Sequence, residues 1–184
     1  MYVYIVYIIM AANLVTQVDL FGHKEFPQTR YQGSKYKLRN WIGHSLESLD
    51  FETAIDAFSG TCSIAYKMKE MGKKVFCNDI LRFNYEVGKA LIENSTEKIL
   101  PDDIEFIFSK QLNKQYDNFI SRTFPDIYYL DEENSLLDII VQNILTIKND
   151  YKRAVLLWAL FQACISKRPY NLFHRKNLYV RTSD

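Results

Sequence analysis

Thr53-Ala-Ile-Asp56-Ala-Phe58-Ser-Gly60-Thr61-Cys62, followed by Val75-Phe-Cys-Asn-Asp79, decides how this chain folds. The apolar run over 53–58 predicts a strand that enters a glycine turn. Residues 61–71 predict a helix, because Ile64, Ala65, Met68 and Met71 fall on one face and Gly72 is placed to cap its end. A second strand over 74–79 ends on a carboxylate, 23 residues after Asp56. Strand, glycine turn, helix, strand and acid in this order is the layout of a site where a nucleotide-like group lies across the ends of two parallel strands. Gly60 lets backbone approach such a group closely. Free N–H groups at the start of the following helix favour an anion there, and Asp79 can accept from ribose hydroxyls.

The surroundings suit a folded domain. With 184 residues and 48% apolar content the chain is long enough for a real core, burying roughly 70% of its unfolded surface. The N-terminal run Tyr2-Val-Tyr-Ile-Val-Tyr-Ile-Ile9 lacks a basic flank, since the first Lys or Arg is Lys24. It is too short for a bilayer, which takes roughly 20 residues, so no membrane span is expected. Cys62, Cys77 and Cys164 form no Cys-x-x-Cys, and His23, His44 and His174 are scattered. Neither a metal site nor a disulfide framework follows, and a cytoplasmic setting fits.

Charge is balanced overall, with 23 basic and 22 acidic residues, but unevenly spread. Lys24 to Arg39 holds five basic residues and one acidic, Asp102 to Asp138 nine acidic and three basic, and Lys167 to Arg181 five basic and none acidic. Basic ends around an acidic middle point to a face that meets phosphate. Residues 82–93 read as helical, and from Pro101 the pattern is helical and loop-rich. The last helix runs from about Asn149 to Ser166, capped by Asn149 or Asp150 and lined by Ala154, Leu157, Trp158, Phe161 and Cys164. Near the start, Gly33-Ser34 predicts a turn into a helix through Trp41, Ile42 and Leu46.

Arg30-Tyr31-x-Gly33-Ser34-Lys35, about 20 residues ahead of the Phe58-x-Gly60 turn, resembles the opening motif of the alpha-group, Dam-like N6-adenine DNA methyltransferases. The resemblance covers roughly residues 28 to 184. It implies an α/β fold, a partial Rossmann-like sheet of the S-adenosylmethionine-dependent methyltransferases with a helical insert. It also implies that S-adenosylmethionine is held by Tyr31, Gly33 and Lys35 from the first motif, Asp56, Phe58, Ser59 and Gly60 from the second, and Asp79 with Ile80 beyond it. Aromatic faces such as Tyr31 and Phe58 suit a sulfonium cation. By the same resemblance, residues 25–95 form the cofactor part, 96–148 a target-recognition part, and 149–184 a return helix with a basic segment, after an apolar stretch over 1–24. Lys167, Arg168, Tyr170, Asn171, His174, Arg175 and Lys176 are the expected contacts to double-stranded DNA, cations on phosphates and aromatics on bases.

Two departures qualify the likeness. The loop's second glycine is Cys62 here, and its side chain is expected to narrow the approach to the cofactor. More important, the Asp-Pro-Pro-Tyr motif that draws on the adenine amino group is missing. Pro27, Pro101, Pro125 and Pro169 are never adjacent, and Arg168 in Lys167-Arg168-Pro169-Tyr170 is a donor only. The chain thus reads as the N-terminal portion of a methyltransferase, with no catalytic residue of its own and a possible second chain carrying the motif. A non-catalytic DNA-binding or regulatory remnant is the alternative. A nicotinamide or flavin oxidoreductase ranks last, with one loop glycine where three are expected.

Overall fold

The computed structural model describes residues 33–125 and 127–167. Strand β1 (Thr53–Asp56) lies parallel to β2 (Lys74–Cys77), with Thr53 opposite Lys74 and Asp56 opposite Cys77. Both strands are two residues shorter than the sequence predicts. The chains part there but stay linked by single bonds: Asn78 N–H donates to the Asp56 carbonyl at 2.9 Å, and Ser59 N–H to the Asn78 carbonyl at 3.0 Å.

A helix turns the chain between the strands (Ser63–Glu70). With α1 assigned to Arg39–Glu47, after a short 3-10 turn over Tyr36–Leu38, this is α2. Its end is a Schellman motif. Gly72 takes a φ of +77°, its N–H reaches the Lys69 carbonyl at 3.0 Å, and Lys73 N–H reaches that of Met68 at 3.1 Å. The buried face carries Ala65 and Met68 as expected, and also Tyr66. Helix α1 crosses α2 closely: a Cβ on Gly43 would stand 2.6 Å from Lys67 Cε. Trp41, on the other side of α1, faces solvent.

The remaining chain is helical. Helix α3 (Arg82–Gly88) widens into a π turn over Lys89–Glu93, whose end is tied by Lys69 Nζ donating to the Ile92 carbonyl at 2.6 Å. Then follow α4 (Pro101–Phe108), α5 (Phe119–Thr123), α6 (Asp131–Ile144) and α7 (Asp150–Lys167). Asn149 is the cap of α7, accepting from Tyr151 and Lys152 N–H at 3.0 and 3.1 Å. Helix α7 is the centre of the described residues. Ala154 to Leu160 are all buried, a wider face than the sequence pattern marks, and the helix packs on α3, the π turn and α6. Each large side chain there contributes roughly 1.5–3 kcal/mol on burial.

Two buried polar residues of α6 hold the loops that precede it. Asp138 accepts from the N–H groups of Ile120 and Ser121 at 2.8 and 3.0 Å and from the Ser121 hydroxyl at 2.8 Å, capping α5. Asn143 donates to the carbonyls of Phe106, Ile107 and Ser109 and accepts from the Tyr116 hydroxyl at 2.7 Å and Lys114 Nζ at 3.2 Å.

The described residues form a mixed α/β arrangement with a small parallel sheet, the coarse form of the expected fold. One sheet face, with Val75 and Cys77, packs on the core. The other leaves Ile55 67% and Phe76 51% exposed, side by side in the register. Parallel sheets are normally covered on both faces. No helix among the described residues is long and apolar enough to cross a membrane.

Candidate functional site

The ends of β1 and β2 converge on one carboxylate. Asp79 Oδ2 accepts from Gly60 N–H at 2.8 Å, and Oδ1 from Leu81 N–H at 2.9 Å. The glycine turn and the end of the second strand are therefore in direct contact, as the spacing predicts. Gly60 has a φ of +50°, in the left-handed region, and a Cβ there would meet nothing within 4 Å. The turn is thus open on that side. Partial burial pushes the Asp79 carboxyl up, but hydrogen bonds from Asn84, Leu81, Gly60 and Ile80 outweigh it and hold the group below its usual range.

Phe58 is 91% exposed and Ile80 97%, one on each side of this carboxylate in the chain. Phe58 is not a core residue; it leaves β1 just where the strand ends. Asp56 turns inward instead. Burial raises its carboxyl above the usual range, and Asp79 adds repulsion; hydrogen bonds from the Ala65 and Phe58 backbones oppose this. Ala65 is the third residue of α2, so the helix start that the sequence assigns to an incoming anion lies beside Asp56.

Gly33, with a φ of +84°, and Lys35 open the described chain, and Lys35 Nζ folds back onto the Gly33 carbonyl at 3.0 Å. Ser34 between them lies 3.2 Å from Thr61, hydroxyl to hydroxyl, and Thr61 lies 2.9 Å from the Ser63 hydroxyl. This short hydroxyl chain brings the first motif against the glycine turn. Ser34 and Thr61 carry no signal in the sequence beyond being small and polar next to glycines.

Cys62 corrects an expectation. Its thiol is wholly buried, facing Gly88, and does not narrow the approach to the turn. A hydrogen bond with Cys77 and burial raise the Cys62 thiol, keeping it protonated, while the same bond lowers Cys77. Cys62 itself takes a φ of +60°, which glycine adopts without strain. Among the described residues no group of His, Cys, Asp and Glu can hold a metal ion.

Of the expected site residues, Ser59, Gly60 and Asp79 meet where the two strands end, with Phe58 and Ile80 as their exposed neighbours in the chain and Asp56 at the end of β1; Gly33 and Lys35 flank Ser34, whose hydroxyl lies against Thr61. Tyr31 lies outside the described residues, as do Arg168, Tyr170, Asn171, His174, Arg175 and Lys176; Lys167 is the last residue of α7. A polar hollow of about 580 Å³ sits elsewhere, around the loop before α5, lined by Gln115, Tyr116, Asp117, Asn118, Arg122 and Gln142. A residue that sequence reasoning missed is Asn84, wholly buried on α3, the short helix that follows Asp79.

Comparison with known proteins agrees with the motif order. Residues 31–167 match the D12 class of N6 adenine-specific DNA methyltransferases. The Type II methyltransferase M2.HphI of Haemophilus parahaemolyticus is 38% identical over 152 residues, 83% of this chain and 44% of that relative. The chain therefore spans less than half the length of the curated relative it matches. No solved structure matches it significantly.

Proposed function

This chain belongs to the D12 class of N6 adenine-specific DNA methyltransferases, and on that premise we propose that its strand-end site holds S-adenosylmethionine for methyl transfer to adenine in double-stranded DNA. The observation that carries this reading is the Asp79 carboxylate, fixed to Gly60 at the ends of two parallel strands between two exposed apolar side chains. The residues fit the group. Asp79 is a charged acceptor suited to ribose hydroxyls, and the open side of Gly60 leaves room for close approach. Phe58 offers a face to a sulfonium cation, with Tyr31 as its expected companion. Ile80 offers apolar surface to a base, and Lys35 a cation to a carboxylate. The sheet is read as the opening part of a Rossmann-like methyltransferase sheet.

The bound cofactor supplies an electrophilic methyl group. Transfer to adenine N6 also needs acceptors that take hydrogen bonds from the amino group of a flipped base. None of the 184 residues forms the Asp-Pro-Pro-Tyr motif that provides them. Turnover on this reading draws that motif from sequence outside these residues, in the same polypeptide or on a second chain. Lys167, Arg168, Arg175 and Lys176 are assigned to phosphates, and Tyr170, Asn171 and His174 to bases. The setting proposed is the cytoplasm.

Calorimetry with S-adenosylmethionine tests the reading. Heat of binding that saturates is expected from the folded 184-residue chain, and no heat at millimolar ligand sinks it. The missing acceptor motif favours a second reading, a DNA-binding remnant without cofactor affinity. That reading predicts retention of duplex DNA, lost as salt rises, with no cofactor heat.

A further inference from the structure

The loop between α4 and α5 is held from one side by three polar side chains of α6. Gln142 donates to the Asp117 carbonyl at 2.8 Å and accepts from the Asp117 N–H at 3.0 Å, so it grips one loop residue twice. Asp138 accepts from the N–H groups of Ile120 and Ser121. Asn143 donates to the Ser109 carbonyl at 2.9 Å and accepts from the Tyr116 hydroxyl at 2.7 Å. Asp138 and Asn143 are buried, where an apolar side chain would pack at lower cost. What they secure is a loop backbone with a single position.

The outward side chains of this loop are the opposite. Gln115, Asp117, Asn118 and Arg122 are exposed and surround the polar hollow of about 580 Å³. None of these four side chains has a hydrogen-bond or ion-pair partner among the described residues. Two amides, a carboxylate and a guanidinium mix donors with acceptors. The Asp117 charge repels a phosphate in the hollow, whereas such a mixture matches the edges of nucleobases. Charge also sets the loop apart. All three basic residues between Asp102 and Asp138, namely Lys110, Lys114 and Arg122, fall within 109–124, beside one acid, Asp117. This positive island is the part of the acidic middle that a duplex can approach.

We propose that this loop reads bases in duplex DNA, with Gln115 and Asn118 on base edges and Arg122 on a flanking phosphate. The inference rests on the reading that the chain binds duplex DNA. It adds a base-reading surface apart from the strand-end site and from residues 167–176.

Selection from a pool of randomised duplexes, with the whole chain and S-adenosylmethionine present, tests it. The wild type is expected to enrich a defined sequence. The double variant Q115A/N118A is expected to bind the unselected pool as the wild type does, but to prefer the enriched duplex about tenfold less. R122A is expected to weaken binding to every duplex alike and to lower the salt slope by about one. Circular dichroism checks the folds, and the single variants replace the double one if it does not fold. Unchanged enrichment by the double variant overturns the proposal and leaves the DNA-binding reading standing. So does a wild type that binds duplexes without sequence preference, or a double variant that loses equally on pool and enriched duplex. A wild type that binds no duplex at low salt overturns both, while cofactor calorimetry still decides the strand-end site.

Discussion

Replacing Asp79 by Asn is the most direct way to ask whether the strand ends hold a ribose. The side chain keeps its shape and one carbonyl oxygen, but loses its charge and gains two N–H donors. In the structure both carboxylate oxygens accept backbone N–H groups, Gly60 at 2.8 Å and Leu81 at 2.9 Å. An amide can serve only one of them; the other N–H then faces a donor. A ribose hydroxyl bonded to a charged acceptor is worth about 1.5–3 kcal/mol, and the partial exposure of Asp79 puts the value at the low end. Two such bonds come to about 3 kcal/mol. The neutral oxygen that remains recovers about 1 kcal/mol, leaving a loss of about 2 kcal/mol, or near 30-fold in Kd. Calorimetry of wild type and D79N with S-adenosylmethionine measures it, and circular dichroism reports whether the variant is folded. A folded D79N that binds within twofold of wild type refutes the assignment of Asp79 to the ribose.

Other outcomes follow from the same contacts. Asn143→Ala removes a buried amide that serves three carbonyls, a tyrosine hydroxyl and a lysine. At about 1 kcal/mol net for each of three bonds the loss is about 3 kcal/mol, lowering Tm by roughly 9 °C in a thermal melt. Exchanging both Ile55 and Phe76 for Thr removes apolar surface that nothing among the described residues covers. Light scattering should show less association, with Tm nearly unchanged. The two strand-end carboxylates have opposite pH signs. Asp79 lies below its ordinary value when folded, so its contribution is present above the unfolded carboxylate value and is lost as pH falls through the folded one. Asp56 lies above its ordinary value, so its ionised form costs stability at neutral pH, and protonation relieves that cost as pH falls. D56N is therefore expected to raise Tm at pH 7, with the advantage shrinking in acid.

What the sequence made legible is what repeats or punctuates. The strand–turn–helix–strand unit could be read because Gly60, Gly72 and Asp79 mark its corners, and a glycine at φ +77° has few substitutes at a helix end. The cap at Asn149 was legible for the same reason. The strand ends read two residues too long in the sequence, because Ala57-Phe58 and Asn78-Asp79 continue the strand pattern while their backbones have already parted. Asp138 and Asn143 are not legible. Each interrupts an apolar pattern, and a polar residue in a helix reads as its solvent side. Only the folded chain shows that loop backbone lies opposite and needs partners. Cys62 misled for a related reason. Its place in the motif suggested a side chain in the mouth of the turn, but the left-handed backbone carries the thiol into the core.

A carboxylate has about four lone-pair positions, and Asp79 receives two donors, the N–H groups of Gly60 and Leu81. On the proposed reading, ribose hydroxyls take the positions that remain, and neither backbone bond has to give way. Amide exchange of Gly60 and Leu81 should then slow together on saturation with S-adenosylmethionine, because binding holds the carboxylate that both amides share. A ligand that binds tightly and quickens the Gly60 amide shows that the turn opens to admit it, and refutes this account of Asp79.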